Sequence, residues 1–95
     1  MITNVNKNVL KDAEKVPNEI KMLLLKKIEE LEKADTIFEL ANIEHMEGTD
    51  EPYYRIKMGK YRILIHYEKE KKKITIHALK HRKDAYKREN LPWKR

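Results

Sequence analysis

Two spacings of apolar residues divide the chain. In the first third they recur every three or four positions: Val9, Leu10, Ala13 and Val16 share one stripe, and Ile20, Leu24, Ile28 and Leu31, with Leu23 beside them, share another. Asn6 is placed to cap the first helix, and Pro17 ends it while suiting the first turn of the next. The spacing therefore predicts two amphipathic helices, the second from about Asn18 to about Ala34, joined as an αα-hairpin. On the second, Lys21, Lys26, Lys27, Glu29, Glu30 and Lys33 face water. Residues 1–5 read as a short strand and Thr36–Ala41 as one further helical turn. Beyond Ile43 the period drops to two. Tyr54, Ile56 and Met58 alternate with Tyr53, Arg55 and Lys57; Ile63, Ile65 and Tyr67 with Arg62, Leu64 and His66; Ile74, Ile76 and Ala78 with Thr75, His77 and Leu79. Gly59-Lys60 is a two-residue connection with glycine first, as a type II′ hairpin requires. The charged run Glu68–Lys73 makes the next turn, His81–Lys87 a last turn of helix, and Leu91-Pro92-Trp93 a tail that folds back.

These elements predict one α+β domain over residues 1–95, an N-terminal αα-hairpin packed on one face of a small, mainly antiparallel β-sheet. The helices are expected to cover Tyr54, Ile56, Met58, Ile63, Ile65, Tyr67, Ile74, Ile76 and Ala78. Strand periodicity then dictates what the opposite face carries: Tyr53, Arg55, Lys57, Arg62, His66, Thr75 and His77.

Composition narrows the function. The sequence has no cysteine, which removes disulfides, thiolate metal sites and a cysteine nucleophile. It has no run of the ~18–20 apolar residues that cross a membrane and no signal-peptide layout, so a cytoplasmic location without membrane contact is expected. Charge is unevenly placed: residues 1–51 hold seven Lys against twelve Asp and Glu, whereas residues 52–95 hold fifteen Lys and Arg against four. All five arginines fall in the second part. Arginine grips phosphate through two parallel hydrogen bonds, so this half points to a polyanion such as nucleic acid.

The predicted open face agrees with that. Three cations, two imidazoles and a tyrosine would share neighbouring strands with no carboxylate at those positions, and like charges placed opposite one another repel. A phosphodiester chain is the natural counter-anion. Taken singly, His66, His77 or Tyr53 is an ordinary surface residue; the pattern carries the argument. Such a face has the groups for RNA cleavage by attack of the 2′-hydroxyl on the adjacent phosphate: a base, cations to hold the phosphorane charge, and an acid near the leaving 5′ oxygen. Lys57, His66 and His77 are the candidates for the base. No metal-ligand spacing is present, and neither metal nor small-molecule cofactor is expected.

The hairpin Tyr54-Arg55-Ile56-Lys57-Met58-Gly59-Lys60-Tyr61-Arg62-Ile63, followed by His81-Arg82-Lys83-Asp84-Ala85-Tyr86, resembles the RelE/ParE toxin superfamily, as does the stretch from Asn6 to Pro17. The resemblance spans roughly residues 5–87. It implies the RelE-like microbial ribonuclease fold and the toxin of a type II toxin–antitoxin system, one that cleaves mRNA in the A site of the 70S ribosome and is neutralised by a cognate antitoxin. It assigns catalysis to Arg55, Lys57, Arg62, Arg82 and Tyr86. Arg55 and Lys57 would hold the phosphate and assist proton removal, Arg62 would stabilise the transition state, Arg82 would act near the leaving oxygen, and Tyr86 would stack on or orient a nucleotide. Tyr53, His66, His77, Lys80, His81 and Lys83 are assigned to RNA binding. Lys80 and Ala85 depart from the family, which usually has glycine and a branched residue there. The alternatives are a ParE-like, non-enzymatic inhibitor of DNA gyrase and a plain nucleic-acid-binding module.

Overall fold

In the computed structural model, which describes residues 1–93, a five-stranded sheet carries the two helices. The strands are β1 (Ile2–Val5), β2 (Ile43–His45), β3 (Tyr53–Met58), β4 (Tyr61–Glu68) and β5 (Lys73–His81), in the order β1-β5-β4-β3-β2. Only the β1–β5 pairing is parallel; the rest are antiparallel. The α+β architecture expected from the pattern is the one observed.

Helix α1 (Lys7–Glu14) begins at Asn6, whose side chain accepts from the Asn8 N–H at 2.9 Å. It starts where β1 ends, so it runs along the edge of β5 just past the parallel pairing and buries Val9. Helix α2 (Asn18–Lys33) lies across the sheet. Leu24 and Leu31 are buried on it, with Ile20 and Ile28 packed beside them. Leu23, expected next to this stripe, stands outside it: it is 39 % exposed and keeps company with Met22 and Leu25, also exposed. The further helical turn is a 3₁₀ turn at Ile37–Glu39. Thr36 accepts from the Phe38 N–H, and the Glu39 carboxylate accepts from the Thr36 N–H at 2.9 Å. This reciprocal cap drives Ile37 fully into the core. Thr36→Ala should therefore cost about 1 kcal/mol, read as a fall in melting temperature of roughly 4–8 °C.

Gly59 takes φ 60° in the β3–β4 turn, while Lys60 does not adopt positive φ, as the type II′ connection asks. The helix side of the sheet holds Ile56, Met58, Ile63, Ile65, Tyr67, Ile74 and Ile76, with Tyr54 at its margin. Ala78 departs from expectation. Between Leu64 and Ile65 the register against β5 slips: Leu64 pairs with Ala78 but Ile65 with Ile76, leaving His77 as an extra residue on β5. Such a bulge reverses the side-chain phase beyond it. Ala78 consequently turns to the open face and Leu79 enters the main core. A second, small core forms on the open face from Met46, Leu64, Ala78 and Leu91, with Tyr53 and Trp93 packed on it. The expected fold-back of Leu91-Pro92-Trp93 is thus observed. Residues 82–87 form hydrogen-bonded turns, including one from the Ala85 N–H to the His81 carbonyl, and a 3₁₀ turn follows at Arg88–Asn90. Arg95, counted among the basic residues above, lies outside the described residues.

Candidate nucleic-acid interface

Cross-strand register sorts the open face into rows. Nearest the β3–β4 turn, Lys57, Arg62 and Lys80 stand opposite one another on three adjacent strands. Directly opposed residues have Cβ atoms about 4.5–5.5 Å apart, so the three cations crowd one another. The β-bulge is what brings Lys80 here; without it this position of β5 would face the helices. Each cation finds its own compensation. Lys57 Nζ lies 3.1 Å from Glu44 and Lys80 Nζ 3.0 Å from Asp12 of α1. Arg62 Nη1 donates to the carbonyls of Gly59 and Tyr61, both at 2.8 Å. Among the described residues Arg62 has no carboxylate partner.

The next row is Glu44, Arg55, Leu64 and Ala78. Arg55 donates to the Glu44 carboxylate, and its Cζ sits 5.1 Å from the centroid of the Tyr86 ring, within cation–π range. Its Nε is buried without a hydrogen-bond partner among the described residues. Burial pulls the Arg55 guanidinium down, but the Glu44 hydrogen bond, with the charges of Tyr86, Glu44 and Glu47, outweighs it and the net direction is up. Hydrogen bonds from Arg55 first and Lys57 second hold the Glu44 carboxyl below its ordinary value. Glu44 stays ionised at neutral pH. Beside this row a recess of about 440 Å³ opens, lined by Met46, Glu47, Arg55, Tyr86 and Leu91. In the turn that carries Tyr86, Asp84 pairs with Lys87 at 2.8 Å, which lowers the Asp84 carboxyl and raises the Lys87 amine.

The third row is Tyr53, His66 and Thr75, with the bulged His77 beside it. The Tyr53 ring centroid is 4.9 Å from His66, 5.8 Å from His77 and 5.0 Å from Trp93. Four residues of β3 separate Tyr53 from Lys57, about 13 Å along the strand.

The site expected from sequence is therefore divided. Arg55, Lys57, Arg62, Lys80 and Tyr86 come together. Tyr53, His66 and His77 form a separate aromatic cluster under the C-terminal tail. Arg82 and Lys83 are exposed in the turn after β5, at the cationic end, where the Arg82 N–H donates to the Lys60 carbonyl at 2.7 Å. His81 points to the helix side, where it meets Tyr61 edge-on at 5.3 Å. Glu44 is the participant that sequence reading missed. The seven positions named beforehand carry no carboxylate, but the short strand β2 lays one against them. Among the described residues no group of three His, Asp or Glu is arranged to hold a metal ion, and no helix is long and apolar enough to cross a membrane.

This combination, two helices on a mainly antiparallel sheet with a cationic row at one end of its open face, defines the class of RelE toxins. The chain matches the RelB–RelE antitoxin–toxin complex of Methanococcus jannaschii at 29% identity and TM-score 0.75, covering 87% of this chain and 94% of that one. It matches the archaeal RelE–RelB complex of Pyrococcus horikoshii OT3 at 27% identity and TM-score 0.72, covering 85% and 93%. The isolated E. coli RelE toxin shares the fold at 20% identity and TM-score 0.62, with 84% and 82% covered. No protein-family model matches the sequence, and no curated protein does. The chain is a RelE-like member of the RelE/ParE toxin superfamily.

Proposed function

We propose that this chain is the toxin of a type II toxin–antitoxin pair and that it cleaves mRNA in the ribosomal A site, halting translation. The observation that carries the reading is the row Lys57, Arg62 and Lys80 beside Arg55 and Tyr86. Its work would be to gather one phosphodiester against several fixed cations, where charge develops as the 2′ oxygen attacks. In the reaction the 2′-hydroxyl gives up its proton, its oxygen bonds to phosphorus, and the bond to the 5′ oxygen breaks. The products are a 2′,3′-cyclic phosphate and a 5′-hydroxyl end.

Arg55 and Arg62 serve as bidentate phosphate holders. Of the three candidates for the base, Lys57 is the one standing in the cationic row; His66 and His77 lie about 13 Å away along the strands. Arg82, at the same end of the sheet, offsets charge on the leaving oxygen. It cannot supply the proton, since arginine does not deprotonate in proteins. Tyr86 keeps its ring 43 % exposed above Arg55 and is available to stack on a base.

The antitoxin partner finds support in the RelB–RelE complexes above. A surface suited to an amphipathic helix is the shallow apolar depression on α2 formed by Met22, Leu23 and Leu25, rimmed by Glu19, Lys26 and Glu29. The relatives named above are all RelE proteins, so they lend the gyrase-inhibiting alternative no support.

The test is to add the purified chain to a translation extract and map mRNA ends by primer extension. Cuts within codons positioned in the A site are the expected result. Intact mRNA under conditions where the chain is folded would end the nuclease reading, and blocked DNA supercoiling in its place would establish the gyrase one.

A further inference from the structure

The anion site described above is already occupied. Glu44 stands on β2, directly opposite Arg55, and its two carboxylate oxygens take different partners: Oε2 accepts from Arg55 and Oε1 lies 3.1 Å from Lys57 Nζ. This is the two-pronged geometry in which a phosphate's oxygens would be held. The carboxylate is 44 % exposed and the Lys57 side chain 43 %, so an incoming anion can reach both. Asp12 does the same for Lys80 from the other side of the sheet. Glu44 differs in holding two of the proposed phosphate ligands at once.

We propose that Glu44 is a built-in placeholder for substrate phosphate, occupying Arg55 and Lys57 in the free protein and yielding them when a phosphodiester arrives. This deepens the ribonuclease reading, on which it rests. Its effect is selective. Each exposed ion pair is weak, so a phosphate that simultaneously meets Arg62, which has no carboxylate partner among the described residues, outcompetes the side chain. An anion touching only Arg55 or Lys57 does not. The cationic face is thereby kept from binding indiscriminately to every polyanion in reach, while the full row still accepts a substrate seated across it.

The test compares the wild-type chain with Glu44→Gln and with Glu32→Gln, which makes the same change in net charge on the helix side of the molecule. Two probes are used: inorganic pyrophosphate, followed by NMR shifts of the Arg55 side chain, and a short oligoribonucleotide whose 2′-hydroxyls are replaced by hydrogen so that it cannot be cut. Glu44→Gln should bind both roughly five- to tenfold more tightly, the sum of two weak pairs released. Its log K against log salt should be steeper by about 0.7, one further phosphate contact on a single strand. Glu32→Gln should change neither by more than about twofold. Thermal melting checks that the variants fold, and Glu44→Ala repeats the comparison should glutamine retain the hydrogen bond to Arg55. Unchanged or weaker binding by folded Glu44→Gln and Glu44→Ala would overturn the proposal and make Glu44 a residue that positions its partners. Tighter pyrophosphate binding with no oligonucleotide binding by any variant would uphold the placeholder and reject RNA as the substrate.

Discussion

Arg62→Ala should lower RNA cleavage by about 10²- to 10³-fold, the usual consequence of removing one fixed donor from a transition-state anion, and should leave the fold in place. The guanidinium lies on the open face and donates to two backbone carbonyls at the hairpin turn, Gly59 and Tyr61, the first of them exposed. Water can replace those bonds, so the stability change should stay within about 1 kcal/mol. The adjacent cations would suffer less repulsion, which offsets part of that loss. The measurement is a cleavage rate beside a melting curve. A folded Arg62→Ala protein that still cuts at the wild-type rate would remove this residue from the site and with it the row on which the mechanism depends.

Deleting His77 should be more drastic. The bulged residue sets the phase of everything after it: with it, Leu79 is 2 % exposed in the main core and Lys80 faces the phosphate site. Without it, Ala78, Leu79 and Lys80 would exchange faces, expelling a buried leucine and driving an ammonium group toward Ile63 and Met58. Losing a buried leucine alone costs about 2–5 kcal/mol, and burying an unpaired charge adds several more. Such a sum consumes most of the stability of a domain this size, typically 5–15 kcal/mol. The expected result is a largely unfolded chain at 37 °C by circular dichroism. A deletion variant with wild-type melting and wild-type cleavage would mean that the bulge does not set the site. His77→Ala, which keeps the residue count, should fold normally.

Most of the architecture was legible in the pattern. The β3 and β4 alternation put Arg55, Lys57 and Arg62 on one face, and observed register agrees. The α2 stripe through Ile20, Leu24, Ile28 and Leu31 was readable because its opposite face is uniformly charged. What escaped has identifiable causes. Around the bulge, the run His77-Ala78-Leu79 places two apolar residues side by side, so a phase reversal leaves no trace in the pattern; Lys80 and His81 were assigned together although they end on opposite faces. The strand β2 is three residues long, Ile43-Glu44-His45, too short for a period, and exists because β3 pairs with it. Glu44 was hidden for that reason. The separation of His66 and His77 from the cationic row was present in the register, but Trp93 joining Tyr53 above them is a contact between distant parts of the chain that no local rule foretells.

The small second core has a consequence for how much RNA the molecule can grasp. Because Leu91 and Trp93 close over the middle of the open face, the bare cationic strip is three strands wide, about 10 Å. That accommodates the scissile phosphate and little more. Proteins that seize single strands unaided track roughly 4–16 nucleotides. A catalyst with so narrow a foothold depends on another body to immobilise its target, and a decoding ribosome, which already clamps the message codon by codon, is such a body.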